Sequence, residues 1–199
     1  MIEVAHRSTS LAKLESKYPN ATILDLTSKA EEPWVRLSPF YPHGNIPVPG
    51  SKIMSQSVEG VWQGLKVFES EDVDPSKFEV VSMKGLKRTV RRLGPVVGHR
   101  LGTDGDTILD YRMARHCIYL PTYRWMLENS APSLMQELKQ RMLNGESFVF
   151  LDYEKNTDVD ELARPLSHAG LVRAYLLDNW PQPPIEISEQ VRQLFELIL

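Results

Sequence analysis

The apolar positions of residues 55–68, SQSVEGVWQGLKVF, recur at helical spacing, with Val58, Val61, Trp62 and Leu65 on one stripe. This period predicts a helix over the whole stretch with that stripe buried. Glu59, Gln63 and Lys66 fall on a second, narrower stripe beside it. Gly60 and Gly64 line a third side, where the missing side chains let another group come close. An acid, an amide and an amine at the margin of a buried face make a candidate pocket edge. The same spacing also describes a solvated helix face with weak side-chain pairing.

Patterns elsewhere place further elements around this helix. Residues 1–20 read as a short helix or an irregular arm, and residues 21–27, ATILDLT, as a strand. Five prolines between 33 and 49 exclude a regular helix there. Trp34, Phe40 and Tyr41 interleave with them, so this stiff loop is either a pocket wall or a lid packed on the core. Residues 69–77 read as a surface turn, 78–83 as a strand, 84–94 as a helix ended by Gly94, and 101–110 as a turn. Residues 108–129 have a helical pattern in which Pro121 makes a kink or a new start. Their aromatic residues, Tyr111, Tyr119, Tyr123 and Trp125, read as core. A helix over 133–144 capped by Ser133, a strand over 147–153, an acidic loop before Pro165 and a helix over 166–177 follow. A proline-rich link, 181–184, leads to an amphipathic helix over 188–199, with Val191, Leu194, Phe195 and Ile198 on its apolar side. The expected fold is α+β, a helix-rich single domain with a small sheet over 1–180 and a helical extension over 181–199.

Composition changes this picture in two places. At 42% hydrophobic and 25% charged residues, with a net charge of −3, the chain is an ordinary globular one without a global bias toward nucleic acid or membrane. Residues 84–100 depart from that average. They hold Lys84, Lys87, Arg88, Arg91, Arg92 and Arg100 with no acid, a candidate anion site in an acidic chain. The arginines favour a planar, bidentate grip on phosphate. A solvated face paired with acids elsewhere is the other reading. The single cysteine, Cys117, excludes an internal disulfide framework and reads as a buried thiol. Without a signal-peptide pattern or a membrane-length apolar run, a cytoplasmic location is expected. The histidines show no metal-ligand spacing, and no GxGxxG, Walker or GxSxG motif is present. Neither a metal nor a cofactor is expected.

Laid out in this order, the chain resembles the NADAR (YbiA-like) superfamily of N-glycosidases over roughly residues 35–176. LSPFYP, 37–42, looks like that superfamily's FSNFYP-type loop, and SVEGVWQGLKVF, 57–68, looks like its helix with Glu59, Gln63 and Lys66 in register. Gly60 stands where its histidine follows the glutamate. RRLG, 91–94, followed by Arg100, is similar to its A-R-x-x-G-R segment; FVFLDYEKNTDVD and RPLSHAGLVRAY resemble its closing strand, loop and final helix. The resemblance implies a NADAR-like fold and cleavage of a bond between a ribose-like sugar and nitrogen. It implies a substrate such as ADP-ribosylated guanine or a phosphorylated ribosyl nucleotide, free or in nucleic acid. It places Glu59, Gln63, Lys66 and Asp152 in the catalytic set. The substrate-binding set is Phe40, Tyr41, Trp62, Arg88, Arg91, Arg92, His99, Arg100 and His168. An oxocarbenium-like transition state suits an ionised Glu59, while Lys66 is open to holding phosphate, orienting Glu59 or attacking the sugar. A non-catalytic module that binds a modified nucleotide or nucleic acid is the competing reading, and a partner-binding protein is a third.

Overall fold

The computed structural model describes residues 1–184. In chain order the elements are β1 (Ile2–His6), α1 (Leu11–Lys17), β2 (Ala21–Asp25), β3 (Ile46–Pro47), β4 (Met54–Ser55), α2 (Val58–Gly64), β5 (Lys66–Phe68) and α3 (Val90–Leu93). They continue with β6 (Val96–Arg100), β7 (Ile108–Leu109), α4 (Tyr111–Ala114), α5 (Leu120–Asn129), α6 (Pro132–Leu143), β8 (Ser147–Asp152) and α7 (His168–Leu176). The architecture is α+β with several helices, and the described residues hold three small sheets where one was expected. The helix expected over 188–199, with Val191, Leu194, Phe195 and Ile198, lies outside the described residues. No helix among the described residues is long and apolar enough to cross a membrane.

The chain divides into two compact units, the first made by Met1–Ser38 and Leu127–Pro181. Its sheet is wholly parallel in the order β1–β8–β2, with Ile2 opposite Phe148 and Ala21 opposite Ser147. β8 is central and buried from Phe148 to Asp152, the near-continuous apolar run that a strand covered on both faces requires. Alternation along β8 sends Val149 and Leu151 to one side, where they pack with Ala5 and with Leu14 of α1. The arm expected over 1–20 is therefore a strand and a helix. IEVAH is too short to show its period; its strand state comes from pairing with β8, far along the chain. α6 starts at Pro132, not Ser133, because proline at the first helical position loses no hydrogen bond. α7 lies against β8 and β1, and Ser167 caps it by accepting the Gly170 N–H at 3.0 Å.

The second unit is built on Pro39–Met126. Its antiparallel sheet runs β5–β6–β7, with Lys66 opposite His99 and Arg100 opposite Ile108, and β3 and β4 pair separately. Three expectations fail here. The helix over 55–68 stops at Gly64, and Lys66–Phe68 become β5, because pairing with β6 satisfies their backbone. Residues 78–83 form turns; the Phe78 ring is buried instead of the segment pairing. Residues 84–94 are helical only over α3, since Gly85 takes a left-handed φ of 77° and Thr89, directly before α3, is extended. α4 and α5 are joined by a π-helical turn, Arg115–Tyr119, in which the Leu120 N–H reaches back to the Arg115 carbonyl. Pro121 falls in the first turn of α5, where its missing N–H is tolerated.

Candidate active site

Ser57 begins α2 with its hydroxyl accepting the Gly60 N–H at 3.0 Å, and Ser55 braces that turn by donating to the Ser57 carbonyl at 3.0 Å. Val58, Val61 and Leu65 are fully buried, as their period predicts. The glycine side is closed by close packing. A β-carbon on Gly64 would fall 2.2 Å from the Phe78 ring, and one on Gly60 would fall 2.6 Å from Ser55 Oγ and 2.8 Å from the Lys77 carbonyl. Both positions require glycine for that approach.

Glu59 and Gln63 are only 7% and 5% exposed, which excludes the solvated-face reading of their stripe. Gln63 Nε2 donates to Glu59 Oε1 at 2.8 Å. Gln63 Oε1 accepts from Lys66 Nζ at 3.3 Å and from the Arg88 backbone N–H at 3.0 Å. Two donors on one side and a carboxylate on the other set the orientation of the amide. Lys66 sits on β5 rather than on the helix, yet its amine completes a carboxylate–amide–amine relay. Burial lowers the Lys66 amine below the ordinary lysine value; Glu59 opposes that shift, and Arg88 and Lys87 add to it.

The cations of residues 84–100 separate into two kinds. The Arg88 side chain is 1% exposed, and its guanidinium donates to the carbonyls of Lys66, of Gln63 at 3.4 Å and of Asp72 at 2.7 Å. Arg88 was expected to hold substrate. Its donors are turned inward, and it fastens the backbone around Gln63 and Lys66. Arg100, expected in the same role, grips Asp72 with two bonds at 3.1 and 2.7 Å and the Gly105 carbonyl at 2.6 Å. Arg91 and Arg92, with Lys84 and Lys87, are exposed and form no ion pair among the described residues. Lys87 Nζ stands 5.5 Å over the Phe40 ring. The Glu59 N–H donates to the Pro39 carbonyl at 2.8 Å, which ties the proline-rich loop to the start of α2. Phe40 is thus placed at the relay's edge, and Tyr41 packs on His43 at 4.7 Å.

Trp62, half-buried, stands at the centre of an aromatic cluster. Its ring lies 3.8 Å from His99, 5.5 Å edge-on from Tyr119 and 5.9 Å from Tyr111, with Lys66 Nζ 5.9 Å away. Burial, and then the charge of Lys66, push the His99 imidazole down to about 3, so it is neutral at ordinary pH. Tyr111 and Tyr119 are site neighbours that the sequence reading assigned to core. Their spacing of two helical turns was the available signal that they share a face.

Asp152 and His168, the remaining expected residues, belong to the first unit and come together there. Asp152 Oδ2 accepts from Ser167 Oγ at 2.7 Å and from the Ala169 N–H at 3.2 Å, and His168 Nδ1 is 3.1 Å from it. Asp152 Oδ1 accepts the Tyr153 N–H at 2.7 Å, and His168 Nε2 is 2.8 Å from the Leu26 carbonyl. Asp152, expected in the catalytic set, has both carboxylate oxygens engaged in the cap that docks α7 onto the end of β8. Cys117 is buried, and burial followed by Asp110 pushes its thiol up to about 11, far from a reactive thiolate. Among the described residues no group of three or more His, Cys, Asp or Glu side chains could hold a metal ion.

The molecule is thus an α+β protein whose second unit holds a carboxylate–amide–amine relay next to an aromatic cluster. Residues 6–172 match the model of a family of unknown function (DUF6939), and the chain belongs to that family. No curated protein matches it.

Proposed function

We propose that this protein is an N-glycosidase that hydrolyses the ribose–nitrogen bond of an ADP-ribosylated guanine or another phosphorylated ribosyl nucleotide. The observation that carries this reading is the Glu59–Gln63–Lys66 relay, a buried carboxylate bonded to an amide that is in turn bonded to a part-buried amine. Departure of the nitrogen leaves positive charge on the anomeric carbon, and a fixed carboxylate offsets that charge more strongly away from bulk water. Glu59 fills this role and directs a water to the same carbon; the water's oxygen bonds to that carbon, the nitrogen leaves with the electron pair of the broken bond, and the proton given up by the water balances the one the nitrogen takes. Gln63 keeps the carboxylate from rotating. Lys66 anchors Gln63 and faces the phosphorylated side of the sugar. Arg91, Arg92, Lys84 and Lys87 supply the phosphate grip, and Phe40 and Tyr41 form the adjacent wall. The ordered resemblance of residues 35–176 to the NADAR superfamily supports the same reading. The space of that superfamily's histidine is taken here by Ser55 and the Lys77 carbonyl, so its part falls to other residues.

The test is mass spectrometry of ADP-ribosylated guanosine and of phosphorylated ribosyl nucleotides incubated with the protein. Release of a free base or sugar by the wild type, lost in Glu59→Gln, is expected. Tight binding of these compounds with no product from any of them leaves the non-catalytic binding module in its place.

A further inference from the structure

The cluster around Trp62 has a hydrogen-bond account that does not close. His99 is 1% exposed, and neither of its ring nitrogens has a partner among the described residues. Buried polar atoms are nearly always paired, so an exception calls for a reason. Phenylalanine at this position would make the same ring contact with Trp62 and leave nothing unpaired. A histidine therefore gains only if its nitrogens are used at some stage. Held neutral, the imidazole offers one donor and one acceptor. It carries no charge with which to hold a phosphate, and the exposed arginines serve that purpose better. Lys66, 5.9 Å from the indole, repels any cationic guest of the aromatic rings. The remaining match is an uncharged planar ring with polar edges. The cluster opens outward at Tyr111, which is 39% exposed, while Lys66 links it to the Glu59–Gln63 relay.

We infer that the Trp62–Tyr111 surface, with His99 beneath it, is the subsite for an uncharged nitrogen heterocycle, a nucleobase, carried by the ligand. The inference rests on the N-glycosidase reading in placing a base beside the relay, and it puts that base at the Trp62 cluster. The rings stack on the heterocycle's face, which is tolerant of its identity, and His99 reads its edge. Since the indole covers His99, seating the base displaces Trp62 from its stack.

Titration calorimetry of the full chain with guanosine and with ribose 5-phosphate, which has no base, tests this directly. Tyr111→Ala, at an exposed position, and His99→Phe, which preserves the ring contact, are each expected to weaken guanosine about tenfold. Neither is expected to alter ribose 5-phosphate binding. Guanosine is also expected to shift the indole emission of the wild type, a shift absent from Trp62→Phe. Wild-type protein that ignores guanosine, or variants that bind it as tightly as the wild type, would overturn the subsite. Base release by variants with unchanged guanosine affinity would overturn the subsite and leave the glycosidase reading intact. Guanosine binding that depends on His99 and Tyr111, without hydrolysis of any ribosyl compound, would support the subsite and overturn the glycosidase.

Discussion

Each unit of the chain buries a carboxylate beside a basic side chain, and the two arrangements end differently. Around Asp152 the partners are a backbone N–H, a capping hydroxyl and an imidazole whose other nitrogen meets a backbone carbonyl. Every link returns to the scaffold. Around Glu59 the chain of bonds runs through Gln63 to a half-buried amine on a neighbouring strand, near enough to the exposed Lys87 to feel its charge. A buried acid next to a base is therefore not by itself a sign of chemistry. What separates the two is whether the last group in the network is spent on the backbone or, like the Lys66 amine among the described residues, keeps donors to spare.

The sharpest way to break this comparison is a pair of isosteric changes. Glu59→Gln removes the charge that opposes an oxocarbenium ion, and loss of such a partner lowers kcat by about 10²–10³. KM and the melting temperature are expected to stay near wild type, because the ground-state sugar carries little charge. Asp152→Asn is expected to do the reverse. It weakens the cap of α7 and leaves donors poorly matched, at about 1–3 kcal/mol of stability, with kcat per folded molecule unchanged. Urea unfolding and steady-state rates on both variants separate these outcomes. A catalytic loss in Asp152→Asn at wild-type stability would end the distinction.

A second pair sharpens the same point within the basic segment. Arg88→Met keeps the bulk but leaves the carbonyls of Lys66, Gln63 and Asp72 short of donors, with an expected loss of about 2–4 kcal/mol in unfolding free energy. Arg91→Glu with Arg92→Glu lies on the surface and is expected to stay within about 0.5 kcal/mol of wild type. The double variant is instead expected to lose affinity for phosphorylated ligands. With a polymer, its log-affinity against log-salt slope is expected to be shallower by about 0.7 per lost single-strand phosphate contact, or 0.9 for duplex. An Arg88→Met protein of wild-type stability would place Arg88 with the surface cations.

These contrasts mark how far the sequence could be read. Val58, Val61 and Leu65 were legible because a helical period needs only near neighbours. Glu59, Gln63 and Lys66 were legible as a set, although Lys66 belongs to a strand: i, i+4, i+7 spacing survives one turn of error when the last side chain is long. The strand state of β1 and β5 was not legible, since it depends on partners distant in sequence. Nor was the division among the arginines. Composition counts positive charges and cannot tell that Arg88 turns inward to carbonyls while Arg91 and Arg92 face water. His99 carried no periodic signal and entered the substrate-binding set only through the family resemblance; its missing hydrogen bonds appear only in the fold.

The pH dependence of stability extends the comparison, with a moderate effect expected in the second unit. His99 titrates at about 3 in the fold and near the ordinary 6.5 when unfolded. Between those values the unfolded chain binds the extra proton, so acid favours unfolding. This contribution is fully present above about pH 6.5 and declines as pH falls toward 3. Urea midpoints measured from pH 7 to 4 should fall more steeply in the wild type than in His99→Phe. Equal slopes would mean that the imidazole is not held neutral by burial beside Lys66.

The smallest effect is expected in the first unit, at Glu146. Two bonds from Arg141, at 2.8 and 2.7 Å, and one from Thr22 hold its carboxyl down to about 2 from an ordinary 4.5. The Arg141 hydrogen bonds are the larger cause and Thr22 the second. A depressed carboxylate contributes stability that is present above about pH 4.5 and lost as pH falls through about 2. The Glu146 side chain is 30% exposed, so solvent screening keeps the contribution small, and salt should reduce it further. Acid-unfolding curves of wild type and Glu146→Gln are expected to lie apart above pH 4.5 and to converge near pH 2. Thr22→Val should fall between them, since Arg141 remains packed against Phe148 at 5.2 Å and keeps its charge on the carboxylate. Because this pair joins the end of α6 to β2 and His99 lies in the second unit, combining Glu146→Gln with His99→Phe should give additive shifts. A non-additive result would show that the two acid responses share one network, and the independence assumed for the two regions would fail.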